Sequence, residues 1–453
     1  MIGEYSLLEV AKKCKGYIIG DDVKIYRFST DSRNMLPGDA FIALKGKNFD
    51  GNDLVLDAAK KGAVAAVVTE KIDTNLPMLH VDDGLEALAA VANITRERSS
   101  AKVIGITGSQ GKTTVKEMIG SILSQAGETL ITPKNQNNTI GVPLTLLSLT
   151  DQHEFAVIEM GADRHGEIRF SASTAKPNIA LITNANDAHV EGFGSLAGIV
   201  EAKGEIIDAT NLTGRLVLNY DDANVKTWVA RAESRVIKKF SVHSSNADYF
   251  ASDVCLGSEG TAEFTLNTPL GSQTIKLGLL GSHNVLNAVA ASAAAMEAGA
   301  NPSHVKTGLE SVQPVTGRLS LTKGIKQCKL LDDTYNASPS SFRAAIDVFK
   351  FFPGKKVLVA GDMRELGIKS EEFHRQIGEY AANSGIERLY AIGDKSRHMV
   401  RAFGSGAKHF SSRTELIDEC RGIATSNLVF LIKGSRGSRM EAVMQKLRIA
   451  KED

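Results

Sequence analysis

The stretch "KVIGITGSQGKTTVKEM", residues 102–118, reads as a strand, a glycine turn and a helix with no spacer between them. Val103, Ile104 and Ile106 make the short apolar run of a strand covered on both faces. Gly108 and Gly111 let backbone N–H groups turn inward, and the helix start adds its positive dipole end, which together make an anion cradle. Lys112 can reach terminal phosphates and the Thr113 hydroxyl can ligate Mg2+. Ser109, Gln110 and Thr114 complete the loop and its first turn. The strict pattern G-x-x-x-x-G-K-[ST] asks for glycine at position 106, where this chain has Ile106, with Gly105 one residue early. A chance Gly-Lys-Thr turn is the alternative, against which the flanking strand and helix weigh. No guanine-reading N-K-x-D follows a later strand, so ATP is the expected nucleotide.

Outward from the loop, further apolar runs follow at helix-length intervals: "FAVIEMG" (155–161), "NIALITN" (178–184) and "RLVLNYDD" (215–222). Runs of this kind belong to buried parallel strands. From 236 to 280 the pattern changes to alternating strands such as "TAEFTL" and "QTIKLGL", which predicts an antiparallel flank, and "HNVLNAVAASAAAMEAG" (283–299) reads as a helix with a glycine stop. Beyond "QPVTGR" (313–318), the strands "CKLLDDTY", "KKVLVAGD", "RLYAIGD" and "NLVFLIKGS" alternate with helices, as in a Rossmann-like sheet. Upstream, residues 1–81 mix short strands such as "AFIAL" and "AVAAVV" with helices, the first of them capped by Ser6. The expectation is an α/β protein of three domains. A small N-terminal domain spans 1–81, a central phosphate-loop domain with a mostly parallel sheet 82–314, and a C-terminal Rossmann-like domain 315–453.

Composition narrows the partners. The 53 basic residues balance 52 acidic ones, which argues against nucleic acid or a membrane surface as the main partner. Cys14, Cys255, Cys328 and Cys420 are scattered, without CxxC or Cys/His spacing, which fits a reducing cytoplasm. Residues 277–296 lack Asp, Glu, Lys and Arg, but their two glycines, histidine and asparagines argue against a membrane span.

Two strand ends carry candidate metal ligands on the loop's edge of the sheet: Glu159, and His189 in "ITNANDAHVEGFGS". A lone histidine is more often structural, and magnesium prefers oxygen. Glu159 is the stronger of the two. Lys203 in "VEAKGEI" reads from spacing alone as an exposed helical lysine. Asn284 and Asn287 share a helical face, where an amide can match adenine or cap the helix. Arg318 can bridge phosphates and Asp333 can accept from ribose hydroxyls, with surface polarity as the alternative for both.

The set "TGSQGKTT", "NNTIGVPLTLL" (137–147), "EMGADRHGEI" (159–168), "NANDAHVEGFGSLAGIVEAKGEI" (184–206), "GSHNVLNAVAA" (281–291) and "DDTYNASPSS" (332–341) resembles the Mur ligase family across nearly the whole chain. "GDMRELG" (361–367) and "KGSRGSRME" (433–441) add to the likeness. The resemblance implies an ATP-dependent ligase of peptidoglycan precursor synthesis, cytoplasmic and monomeric. It would join D-alanyl-D-alanine to UDP-N-acetylmuramoyl-tripeptide through an acyl phosphate. It also implies roles: Lys112 on the phosphates, Thr113 and Glu159 on a first Mg2+, and His189 with a carbamylated Lys203 on a second. Asn287 would meet adenine, Arg318 the phosphates and Asp333 the ribose. Asn137 and Asn138 would lie along the muramoyl substrate, and Tyr335 and Asn336 would also face substrate. "STDSRNMLPGDAFIALKGKNFDGNDL" (29–54) resembles the UDP-end region, with Ser29, Asp31 and Ser32 as contacts. Asn52 stands where the family often has histidine.

Overall fold

The computed structural model describes residues 2–186, 190–257 and 260–449. Three large sheets follow one another along the chain, besides a two-stranded ladder of Tyr5–Ser6 with Lys24–Ile25. In the first, Arg27–Ser29, Asp39–Ile42, Ala65–Val68 and Met78–His80 run parallel, and Tyr17–Ile19 pairs antiparallel with the last. The Leu7–Cys14 helix packs nearby, its Ser6 cap accepting from the Glu9 N–H as the sequence predicts.

The central sheet has nine strands, with the Lys102–Thr107 strand between Phe155–Glu159 and Ile179–Ile182. The apolar runs all become buried parallel strands. Val103, Ile104 and Ile106 are fully buried, each contributing roughly 1.5–3 kcal/mol by leaving water. The flank differs from the sequence expectation. Val236–Ser241 and Tyr249–Leu256 extend the parallel set, and only the Thr261–Thr268 and Gly271–Leu280 ladders are antiparallel. In "VIKKFS" the first four residues are open or half-buried while Phe240 and Ser241 are buried, although the strand lies beside the middle one of the nine. The Gly271–Leu280 strand runs directly into the His283–Ala298 helix, which ends at Gly299 in the left-handed region. Among the described residues no helix is long and apolar enough to cross a membrane.

The third sheet orders Ser320–Lys323, Lys329–Asp333, Leu428–Lys433, Lys355–Gly361, Arg388–Ile392 and Ala407–Phe410. All but the first are parallel. The four strands read from the sequence are present. Ser320–Lys323 and Ala407–Phe410 carry no such signal in the sequence, since both are short, partly exposed edges without a full apolar run.

The Gly84–Arg98 helix, capped by Asp83, joins the first two sheets. It packs against Leu7–Cys14 and, on the central side, against Gly141–Leu146 and Glu167–Ala175. The Tyr5 hydroxyl meets Thr95 at 2.9 Å, and Glu97 pairs with both Lys13 and Lys176. At the other junction, the Gln110 amide donates to the Ser338 hydroxyl (3.1 Å) and to that of Ser340, at the start of the Pro339–Phe349 helix. That contact brings the C-terminal unit onto the phosphate loop.

Candidate active site at the edge of the central sheet

Strand Lys102–Thr107 delivers the chain to Gly108, and helix Lys112–Leu123 leaves from Gly111. Both glycines have positive φ, 145° and 80°. A Cβ on Gly108 would overlap the Thr183 hydroxyl, and one on Gly111 would overlap Asn287 Oδ1. Only glycine fits either place. Ile106 is fully buried in the strand, and Gly105 is packed between Ile206, Met160 and Pro177. The turn therefore begins at Gly108, and the off-pattern Ile106 is simply a core residue.

The loop is backed by residues 183–186. Ser109 N–H donates to Asn184 O (3.0 Å), Gln110 N–H to Asn184 Oδ1 (2.9 Å), and the Thr183 hydroxyl to Gln110 O (2.6 Å). Lys112 Nζ folds back onto the Gly108 and Ser109 carbonyls at 2.5 and 3.4 Å. Burial pushes its pKa down, opposed by the charge of Glu159. Thr114 is half-buried on the same turn.

Glu159 ends its strand with 1% of its surface exposed. Its Oε1 accepts from the Thr113 hydroxyl (3.1 Å) and from Asn137 Nδ2 (2.8 Å). Its Oε2 is buried without a hydrogen-bond partner. Arg318 reaches in from beyond the central sheet and donates from Nη2 to Thr113 Oγ1 at 2.9 Å, while its own buried Nε has no partner. The Arg318 guanidinium lies 4.3 Å from the Tyr335 ring centre, and that of Arg436 lies 5.5 Å from it. Asn287 Nδ2 donates to Asn284 Oδ1, and Asn284 Nδ2 to Leu280 O, so the two amides form one chain ending over Gly111.

Three family models match this frame. A Mur ligase family, catalytic domain model covers residues 24–118, a Mur ligase middle domain model 106–295, and a Mur ligase, glutamate ligase domain model 317–436. The chain belongs to the Mur ligase family. It is 42% identical over 445 residues to the UDP-N-acetylmuramoyl-tripeptide–D-alanyl-D-alanine ligase of Escherichia coli K12, covering 98% of both chains. A crystal structure of MurF from Acinetobacter baumannii superposes with a TM-score of 0.93 at 36% identity, covering 98% of this chain and 99% of that one. The MurF ligase of Thermotoga maritima in complex with ADP does so at 0.84 and 30% identity, over 93% and 96%.

Other residues of this Mur ligase fall around the same edge or away from it. Lys203, expected from spacing to be an exposed helical lysine, is 3% exposed. It sits on the inner face of helix Leu196–Asp208, its Nζ 5.2 Å from the Phe193 ring centre. Burial first, and the nearby Lys112 charge second, push its pKa down to about 7. Its proposed companion His189 lies outside the described residues. Asp333 is held by the buried Lys433, whose Nζ also donates to Asn336 O at 2.9 Å. Asn336 Oδ1 accepts from the Ala337 N–H. Asn138 turns its amide oxygen onto the backbone N–H groups of Ile140 and Gly141.

Ser29, Asp31 and Ser32 form a separate cluster at the end of the Arg27–Ser29 strand. The Asp31 N–H donates to the Ser29 hydroxyl, and Arg33 hydrogen bonds hold the Asp31 carboxyl down at about 2. Asn52, in the family's frequent histidine position, is 5% exposed and binds Asp50 and Thr69 through its amide.

The sequence reading did not single out Lys116 or Lys433. Lys433 had a usable signal: "FLIKGS" ends an apolar strand with a charge, the same cue that marks Glu159. Lys116 had a weaker one, standing three and four residues after Thr113 and Lys112 and so on their helical face.

Proposed function

We propose that this chain is an ATP-dependent ligase that joins D-alanyl-D-alanine to the tripeptide carboxylate of UDP-N-acetylmuramoyl-tripeptide, in the synthesis of peptidoglycan precursors. The observation that carries this reading is the buried Glu159 carboxylate. One oxygen is held by Thr113 and Asn137, the other has no hydrogen-bond partner, and both lie beside a phosphate loop reached by Arg318. In this reading residues 1–81 hold the UDP end through Ser29, Asp31 and Ser32. Residues 82–314 activate the carboxylate, and 315–453 bring nucleotide contacts and the incoming dipeptide. All the groups come from one chain, in keeping with a cytoplasmic monomer acting on soluble nucleotide substrates.

Glu159 Oε2 and the Thr113 hydroxyl are hard oxygen donors of the kind magnesium takes. Among the described residues no group of three His, Cys, Asp or Glu could hold a metal alone. That leaves most of the shell to phosphate oxygens and water, as magnesium prefers. When bound, the ion would neutralise charge on the phosphoryl and acyl oxygens. A second ion would fall to His189 and a carbamate on Lys203. A pKa of about 7 supports that assignment, because a neutral amine is what adds to CO2, forming an N–C bond and releasing a proton.

A carboxylate oxygen attacks the γ-phosphorus of ATP, the bond to the β-phosphate oxygen breaks, and ADP leaves. The resulting acyl phosphate has a good leaving group, which a free carboxylate lacks. The neutral amine of D-alanyl-D-alanine then adds to the carbonyl, loses a proton, and phosphate departs. Lys112 and the loop N–H groups stabilise the charge that moves onto the leaving ADP. Arg318, released from Thr113, turns to the phosphates, while Asn287 meets adenine and Asp333 the ribose. Asn137, Asn138, Tyr335 and Asn336 line the substrate. The Gln110–Ser338 and Ser340 contacts close the C-terminal unit over the loop and keep water from the acyl phosphate.

The test is ADP release measured with each substrate omitted in turn. Turnover should require both the UDP-linked tripeptide and D-alanyl-D-alanine, and sustained ADP release with a hydroxylated acceptor alone would point to a kinase instead.

A further inference from the structure

Lys116 lies on the phosphate-loop helix, one turn beyond Lys112, and is 1% exposed. A lysine is rarely buried so fully without partners that repay its lost hydration. Its Nζ donates to the Thr132 carbonyl at 2.9 Å and pairs with Glu117 Oε1 at 2.9 Å. The Thr132 hydroxyl in turn accepts the Glu159 N–H at 2.9 Å. The ammonium also faces Glu159 Oε2, the oxygen without a hydrogen bond, from 4.0 Å. That separation is too long for a hydrogen bond and short enough for strong attraction in a site with so little water.

We propose that Lys116 is the resident counter-charge of Glu159. It is a positioning residue that balances the buried carboxylate while leaving Oε2 open, so that the ammonium and a divalent cation share one acid. This rests on the reading of Glu159 as the acid that holds the cation. The arrangement has a consequence of definite sign. Lys116 repels an incoming cation, so the protein binds Mg2+ less tightly than the bare carboxylate would and is stable without it. A lysine that merely filled space would, on removal, loosen the site and weaken Mg2+.

Two measurements on the full chain test this. In metal-free buffer, denaturant unfolding of Lys116→Met, Glu159→Gln and the double variant gives a coupling. Lys116→Met should shift the unfolding equilibrium at least ~10-fold less in the Glu159→Gln background than in the wild type. Calorimetric titration of Mg2+ in the presence of ADP should show tighter binding in Lys116→Met, by ~10-fold, since unit charges at this range exceed the free energy of that change. Glu117 is partly exposed and screened by water, so Glu117→Gln should move both readings less than Lys116→Met does.

Absent coupling, or Mg2+ binding that is unchanged or weaker in Lys116→Met, overturns the proposal. If Lys116→Met fails to fold but the double variant folds, the pairing is upheld. If both fail, Lys116 serves Thr132 and the helix rather than Glu159, and the proposal falls. Should Glu159→Gln keep full activity and an unaltered Mg2+ requirement, the metal role of Glu159 is lost, whatever the coupling.

Discussion

Glu159 and Asp333 are two acids at the carboxyl ends of two parallel strands, each near a buried lysine, and they are built differently. At the C-terminal sheet Lys433 touches Asp333 directly, and the other carboxylate oxygen accepts the Leu319 N–H. At the central sheet Lys116 stands off from Glu159 Oε2 at 4.0 Å, and that oxygen accepts no hydrogen bond. A directly paired acid has little charge left to offer and is suited to accepting hydrogen bonds from neutral hydroxyls. An acid with a distant counter-charge keeps an oxygen for a cation. One kind of pairing thus suits two chemistries, and the difference lies in whether the lysine touches the acid.

The largest effect should come from breaking the central end. Lys112→Ala and Glu159→Gln should each lower turnover by ~10²–10³-fold, the scale for removing one preorganised charge. Steady-state ADP release measures this, and near-wild-type rates in Lys112→Ala would sink the phosphate role.

The C-terminal end should fail through stability instead. Lys433→Met leaves a mostly buried Asp333 without its cation, at a cost of about 3 kcal/mol. Urea unfolding of Lys433→Met and of Lys433→Met/Asp333→Asn checks it, and the second variant should recover most of the loss. If it does not, the pair is not what holds that strand end.

Lys203 sharpens the comparison as a buried lysine whose own chemistry matters. Its folded pKa of about 7 lies below the ordinary lysine value. Between about 7 and the unfolded pKa of ~10.4, the unfolded chain binds more protons, so stability should rise with pH across that window. In CO2-free buffer the slope should flatten in Lys203→Met. Lys203→Ala should also abolish any dependence of activity on added CO2, and equal activity of CO2-depleted and CO2-replete wild type would remove the carbamate.

The smallest effect is expected at the junction. Gln110→Ala deletes two hydrogen bonds worth about 1 kcal/mol each, so it should raise the KM for D-alanyl-D-alanine a few-fold with the fold intact. Initial-rate kinetics at saturating ATP would show it, and an unchanged KM would mean the contact plays no part in closure.

The central parallel strands were legible because each is an apolar run between helix-length segments, and the phosphate loop because its glycines precede Lys112 without a gap. What was not legible depends on partners distant in sequence. The 3.6-residue period puts Lys203 on a face of its helix but does not say that Phe193 covers that face. Asn287 was legible as an amide that could match adenine or cap its helix, yet only the folded chain brings it over Gly111, 176 positions away in sequence (287 − 111). The edge strands Ser320–Lys323 and Ala407–Phe410 lack the full burial that makes an apolar run.

The placing of the Lys102–Thr107 strand between two later strands has a consequence for synthesis on the ribosome. Both its neighbours, Phe155–Glu159 and Ile179–Ile182, are made after it, as are the helix that brings Asn287 and the segment that brings Arg318. The nascent chain therefore carries a phosphate loop with exposed strand edges until residue 182 has emerged. The guanidinium that closes the loop arrives 136 residues later still (318 − 182). Termination within that interval removes Arg318 and, depending on where it falls, up to five strands of the same sheet, so a shortened product would lack the full cradle.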